Sequence, residues 1–195
     1  MSQWALLMGC RDILRAPKAP QQSGLTGLGL SNLQCDINFD GQPVPACGEL
    51  FVCIFPGAWM VSDAEGLDES FDINITVTVR MSVLPSDRQT AVTPLSSLGG
   101  KAMAQKLEEI RALLHLDNVQ DQWLQRANFY LGALEGAGGA FVEPPRLRGI
   151  AAPQAQGPEW FSAERDVAGQ ILPCGLSQTM TFGGARRVQR IEGEE

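Results

Sequence analysis

The chain has 195 residues, of which 44% are hydrophobic and 19% charged, and its formal net charge is -7. This length suits one domain with a sizeable core, and this composition excludes global disorder. The acidic balance argues against a protein that clamps nucleic acid, because neutralising phosphates requires clustered Lys and Arg, although DNA sliding past an acidic wall remains compatible with it.

The N-terminal segment predicts a short amphipathic helix followed by a loop. Ser2 is a suitable N-cap, and Pro17 and Pro20 place the end of the helix near Arg15. Residues 17–30 are rich in Pro, Gly, Gln and Ser and therefore predict a loop.

Two strands are expected next. Apolar side chains at alternate positions over residues 33–39 share one face, and a nearly continuous apolar run over residues 49–55 indicates a strand covered on both faces. The pair Pro56 and Gly57 is expected to stop the second strand, which leaves residues 59–69 as an acidic connector. The carboxylates of this connector lack the order of a calcium loop, so a solvated loop is favoured over a cation site.

The strongest pattern in the chain lies at residues 71–83, where apolar and polar side chains alternate without a fault. The pattern predicts a half-buried strand, and at ~3.3 Å per residue such a strand is roughly 40 Å long. A strand of this length suits a scaffold or an assembly better than an enclosed active site. Its polar face has three possible surroundings: a lumen, solvent or a neighbouring protein.

The second half of the chain predicts two helices and two further strands. After a loop over residues 84–100, apolar residues at helical spacing predict helices over residues 101–115 and 118–134. Residues 140–147 indicate a short edge or bent strand, because two prolines interrupt it. Residues 176–182 alternate again and predict a strand that pairs with the long one.

Together these elements predict one α+β domain over residues 1–195. Its sheet is expected to be mainly antiparallel, with one long strand at residues 71–83 and helices on one face. Loop-rich extensions are expected at residues 17–30, 84–100 and 151–173.

The residues that carry enzyme or metal chemistry are sparse. The five cysteines lie at no metal-like spacing, and His115 is the only histidine. We find no nucleophile elbow, dinucleotide-binding glycine pattern or Walker loop, so we expect no catalytic residues, no cofactor and no metal. A cytoplasmic enzyme that uses a cysteine is the alternative. The cysteines are expected to be buried thiols, and a disulfide of Cys35 with Cys47 or Cys53 remains open.

No segment of the sequence indicates a membrane. The N-terminal residues lack the basic region and long apolar core of a signal peptide, and no run approaches the ~20 apolar residues of a membrane span. We therefore expect synthesis in the cytoplasm and no membrane partner.

Six residues are candidates for contact with a partner: Trp59, Trp160, Phe161, Arg186, Arg187 and Arg190. If exposed, Trp160 and Phe161 would anchor a partner; if buried, they would pin the surrounding Pro-rich loop to the core. The arginines precede the acidic segment 192–195, so a solvated tail that compensates its own charge is favoured over a phosphate site.

Several strings of residues are similar to those of phage and prophage neck proteins. Residues 53–59 read CIFPGAW, residues 68–71 read DESF, and residues 176–187 read LSQTMTFGGARR. The stretch 127–144 adds to them. With the order of the predicted elements, these strings make the chain resemble the tail terminator and neck (head-to-tail joining) proteins of long-tailed bacteriophages.

This resemblance implies a structural virion protein with no catalytic residues. Such a subunit usually assembles as a six-fold ring that caps the tail tube and joins it to the head connector. Its expected partners are further copies of itself, the tail tube protein and the head connector or adaptor protein, and genomic DNA would pass through without sequence-specific binding. The subunit would be assembled in the host cytoplasm and reside in the neck of the virion. Another head-tail adaptor or tail protein is the neighbouring alternative.

Overall fold

A computed structural model describes eight stretches of the chain: residues 2–18, 27–37, 50–65, 68–81, 98–135, 146–150, 154–161 and 174–187. Their helices are α1 (Ser2–Arg15), α2 (Leu98–Leu114) and α3 (Asp117–Glu135). Their strands are β1 (Cys35–Ile37), β2 (Leu50–Glu65), β3 (Asp68–Met81), β4 (Arg146–Ile150), β5 (Gln154–Ala155), β6 (Glu159–Phe161) and β7 (Cys174–Arg187).

The strands form one sheet in the order β1-β2-β3-β7-β4. Only β1 and β2 are parallel among the described pairs, and the other pairs are antiparallel. The strands β4, β5 and β6 follow one another along the same edge of β7, and they act together as one interrupted edge strand. Pro158 lies between β5 and β6, where a residue without a backbone N–H interrupts pairing.

The long strand predicted at residues 71–83 is present as β3, which begins three residues earlier, at Asp68; residues 82–83 lie outside the described residues. β3 pairs with β2 on one side and β7 on the other. Its buried face carries five apolar residues: Phe71, Ile73, Ile75, Val77 and Val79. The helices α1 and α2 contact this side of the sheet, and α3 packs on α1. The predicted α+β domain, with a mainly antiparallel sheet and helices on one face, is therefore confirmed.

The strand β2 corrects two predictions. It pairs with β3 along its whole length, so Pro56 and Gly57 do not stop it. Residues 59–65 and 68–69, which were predicted as part of a connector, belong to β2 and β3, and residues 66–67 lie outside the described residues. The reason is that β1 covers β2 only as far as Ile54. Beyond that point no described strand lies on the outer side of β2, and Pro56 needs no partner there. A β-bulge between Pro56 and Trp59 shifts the register of the β2–β3 pairing at this point.

The polar face of β3 is partly buried. Thr78 and Arg80 are only 3% and 5% exposed, and the Arg80 guanidinium lies 6.0 Å from the centre of the Phe55 ring. Further along the strand, polar side chains of β3 and β7 bond to each other across the sheet: Thr76 with Thr179 at 2.9 Å, and Thr181 donating to Asn74 at 2.7 Å. Hydroxyl and amide groups therefore cross-link these two strands.

The remaining predictions differ mainly at element boundaries. All three predicted helices are present, but α2 begins at Leu98, so residues 98–100 belong to a helix and not to a loop. The first predicted strand, residues 33–39, is represented by β1; residues 33–34 form a turn, and residues 38–39 lie outside the described residues. The strand predicted at residues 140–147 appears as β4, and residues 140–145 lie outside the described residues. Within the predicted loop 151–173, β5 and β6 are strands.

Two helical glycines predict opposite effects of the same substitution. A methyl group at Gly132 in α3 meets no atom within 4 Å, so Gly132→Ala is expected to stabilise the protein by about 0.5–1 kcal/mol through helix propensity. At Gly9 in α1 the added Cβ would lie 2.9 Å from Cδ1 of Trp123, so Gly9→Ala is expected to destabilise it. Urea midpoints of both variants check the pair, and a loss of stability in Gly132→Ala would contradict it.

Candidate assembly surface

Four strands meet at one end of the sheet, which we call the sheet tip. It comprises residues 58–65 of β2, 68–72 of β3, 183–187 of β7 and 146–150 of β4. In the backbone register Glu65 faces Asp68, Asp68 faces Arg187, and Arg187 faces Arg146. Segments that are far apart in sequence therefore form one continuous surface.

Trp59 is built into the sheet tip by two aromatic contacts. Its ring stacks on Phe71, with ring centroids 4.2 Å apart and planes inclined by 16°. The guanidinium of Arg186 lies 5.0 Å from the centre of the Trp59 ring, within the range of a cation–π interaction. Trp59 is partly buried against the core. Trp59, a candidate contact residue, therefore packs against two neighbouring strands and helps to hold the sheet tip together.

Arg186 is held by an acidic residue on the neighbouring strand. Its Nε and its terminal NH2 group lie 2.8 and 2.6 Å from Oε2 of Glu69, the residue directly opposite it in the register. The sequence predicts that the acidic segment 192–195 compensates the charge of the arginines, and in the structure Glu69 of β3 pairs with Arg186. Segment 192–195 and Arg190 lie outside the described residues. Arg187 ends β7 with its backbone opposite Asp68.

The Glu69–Arg186 pair predicts a measurable coupling. Both side chains are about four-fifths buried, and the pair combines an ionic hydrogen bond with the contact on Trp59. We expect a double-mutant cycle of Glu69→Gln and Arg186→Gln, measured by urea unfolding, to give a coupling energy of about 1 kcal/mol. The cycle of Glu108→Gln and Arg111→Gln, an exposed pair on α2, is the matched control and should give less than about 0.5 kcal/mol. Equal coupling in the two cycles would refute the prediction.

The other two aromatic candidates lie away from the sheet tip. Trp160 and Phe161 belong to β6 and face Leu176 and Gly175, at the opposite end of β7. The structure describes their backbone only, so both interpretations of their side chains stay predictions. Thus Trp59, Arg186 and Arg187 are brought together, whereas Trp160 and Phe161 are not part of the same surface.

Two exposed apolar residues on β2 were missed by sequence reasoning. Met60 is 57% exposed and Val61 is 46% exposed, next to a second bulge between Val61 and Asp63. They are consecutive, so they project to opposite faces of an edge strand. The three consecutive apolar residues Trp59, Met60 and Val61 could have indicated that the strand continues. They were not assigned to a strand because Pro56 was predicted to end it.

Three cysteines, Cys10, Cys35 and Cys53, are buried in the described core. Burial raises the pKa of Cys35 to about 12 and that of Cys10 well above its usual range. Cys35 faces Val52 whereas Cys53 faces Asp36, so the side chains of Cys35 and Cys53 lie on opposite faces of the sheet and form no disulfide. Cys47 lies outside the described residues.

A polar network ties α1 to its neighbours. The Tyr130 hydroxyl donates to Oδ2 of Asp12 at 2.7 Å. A terminal nitrogen of the Arg15 guanidinium lies 3.4 Å from Oδ1 of Asp36, and the same guanidinium donates to the Cys35 carbonyl. These contacts join α1 to α3 and β1 around paired charges. The network therefore stabilises the packing of the helices and presents no unpaired carboxylate pair for acid–base work.

In the described stretches, no group of three or more His, Cys, Asp or Glu side chains is placed to hold a metal ion. None of the described helices is long and apolar enough to cross a membrane.

Compared with known proteins, the chain matches no family model and no curated relative.

Proposed function

We propose that the chain is a structural subunit of the neck of a long-tailed bacteriophage. In this proposal it is a tail terminator, which caps the tail tube and joins it to the head connector as a ring. The observation that carries the proposal is that three of the strings resembling neck proteins lie on adjacent strands of the sheet, and each of them reaches the sheet tip. Residues 53–59, 68–71 and 176–187 are distant in sequence, yet they lie on the neighbouring strands β2, β3 and β7.

The construction of the sheet tip supports a role in assembly. The contacts among Trp59, Phe71, Glu69 and Arg186 hold three strands in a fixed arrangement, so little ordering is needed when a partner binds. Beside this rigid patch, Met60 presents apolar surface to solvent. Exposed apolar surface next to polar residues is typical of protein–protein contacts.

The charge of the chain suits a protein past which DNA moves. Its net charge of -7 disfavours binding to phosphates, and the polar face of β3 and β7 carries hydroxyl and amide groups at Asn74, Thr76, Thr179 and Thr181. Genomic DNA would thus pass such a ring without sequence-specific contacts. The tail tube protein and the head connector are the partners expected at its two rims.

Two alternatives compete with this proposal. A head-tail adaptor or another tail protein would use the same kind of rigid, partly apolar surface. A cytoplasmic Cys-dependent enzyme requires a thiolate, and the raised pKa values of Cys10 and Cys35 disfavour the thiolate at both positions. The structural role is therefore the better supported class.

Deleting the gene from the phage or prophage that encodes it tests the proposal. Electron microscopy of the lysate is expected to show filled heads separated from tails of uncontrolled length, because nothing would cap the growing tube. Tails of normal length that remain unjoined would favour the head-tail adaptor. Intact virions would overturn both structural roles. The wild-type gene supplied in trans is the control, because it should restore the virions if the deletion does not affect neighbouring genes.

A further inference from the structure

The two edges of the sheet carry opposite charges at the sheet tip. Across the strands in their spatial order, β2 contributes Asp63 and Glu65 at one edge, and β4 contributes Arg146 and Arg148 at the other. The inner strands repeat this order, with Asp68 and Glu69 on β3 and then Arg186 and Arg187 on β7. The charge of the tip is therefore separated from edge to edge.

One acidic and one basic residue of the inner strands compensate each other. Glu69 and Arg186 form an ion pair where the acidic and the basic strands meet. The charged residues that lie farthest from this boundary in the strand order are those on the two edge strands, so the acidic and the basic positions are separated by the width of the sheet.

Among the described strands, β2 and β4 are the outermost ones at the sheet tip. In the described part of the chain, no strand pairs with the outer side of β2 beyond Ile54 or with the outer side of β4. An edge strand presents backbone N–H and C=O groups that a further strand can bind. On β2, the exposed Met60 and Val61 add apolar surface beside them.

We propose that the acidic β2 edge of one copy docks against the basic β4 edge of the next copy. The contact is heterologous, because two different surfaces of the same chain meet, and such contacts close into rings when the rotation between copies permits. Opposite charges steer the copies together and disfavour contacts of β2 with β2 or β4 with β4. This inference identifies the subunit contact of the ring and rests on the proposed function only for the closure of that ring.

Charge reversal at each edge tests the contact. One variant carries Asp63→Lys with Glu65→Lys, and the other carries Arg146→Glu with Arg148→Glu. Alone, each variant places like charges at both edges, and its dissociation constant for self-association is expected to rise at least about tenfold in sedimentation velocity across a concentration series. An equimolar mixture of the two variants is expected to regain the assembly, because each then offers the edge that the other lacks.

Controls separate lost contact from lost folding. Lys101→Glu with Glu108→Lys reverses exposed charges on α2, and it should leave the assembly unchanged. Recovery in the mixture shows that both edge variants are folded, and thermal unfolding of each variant checks this directly. Raising the salt concentration should weaken the wild-type assembly.

Several results would overturn the inference. They are a wild-type protein that stays at 21.0 kDa at every concentration, an assembly that survives both reversals, and folded variants that do not recover on mixing. Each is distinguishable from failure of the proposed function, because the deletion phenotype in the phage does not depend on which edges meet. If the gene deletion leaves the virions intact while the edge contact is present, the chain would be a ring protein with another role.

Discussion

Replacement of Trp123 by alanine is expected to lower the free energy of unfolding by about 3–5 kcal/mol. The side chain is 1% exposed and lies between α1 and the sheet. Its ring meets Phe182 of β7 edge to face, with centroids 4.7 Å apart, and its Nε1–H donates to the Leu6 carbonyl at 2.7 Å. One residue therefore joins α3 to both other layers, so its removal leaves a cavity and breaks a buried hydrogen bond.

Two substitutions separate the contributions of Trp123. Trp123→Phe keeps an aromatic ring but removes the N–H donor, and we expect a loss of about 1–2 kcal/mol. Phe129→Ala removes an aromatic side chain from the same helix, but that side chain is 62% exposed, so a change below about 1 kcal/mol is expected. Urea unfolding followed by circular dichroism measures all three variants. Equal losses for Trp123→Ala and Phe129→Ala would contradict the described packing of α3.

Alkaline pH is expected to destabilise the protein through its buried thiols. Burial raises the pKa of Cys10 and, to about 12, that of Cys35, and the nearby Arg15 guanidinium only partly offsets this for Cys35. In the unfolded chain a thiol ionises near pH 8.5, whereas in the folded protein it stays protonated. The folded state then binds more protons than the unfolded state, so stability is complete below about pH 8 and falls as the pH rises. Between about pH 8 and about pH 10 each thiol should account for roughly 2 kcal/mol.

Comparison with alanine variants isolates this effect from other titrating groups. Cys35→Ala loses packing at every pH, but its stability should fall less steeply than that of the wild type between about pH 8 and about pH 10. Tyr130→Phe addresses a further group whose pKa is raised, by burial and by its hydrogen bond to Asp12. Identical slopes in the wild type and Cys35→Ala would show that the folded thiol ionises freely.

The parts of the fold that were predicted correctly are those encoded by a local period. The alternation over residues 71–83 and 176–182 identified β3 and β7 and their pairing, and apolar spacing identified the three helices. These patterns depend on which face of an element is buried, and that information lies within a few consecutive residues. The same alternation failed to predict burial of Thr78 and Arg80, because burial of the second face depends on the surrounding chain.

The parts that were missed depend on neighbours in space. Pro56 ends a central strand but is tolerated at an edge, and whether β2 is an edge at that point is decided by where β1 stops. The strands β5 and β6 are too short for any period to be visible. The ion pair of Glu69 and Arg186 joins residues 117 positions apart, so only the sheet register brings it together.

The position of β7 has a consequence for how the protein is made. In chain order β7 follows every other described element, yet in space it lies between β3 and the edge formed by β4, β5 and β6. Its contacts with β3 join residues that are about a hundred positions apart, such as Asn74 and Thr181, which are separated by 107 positions. During synthesis β3 therefore keeps one open edge until β7 emerges from the ribosome, and the sheet closes late. A chain interrupted before Cys174 would keep the unpaired backbone N–H and C=O groups of that edge of β3, so premature termination is expected to yield aggregates.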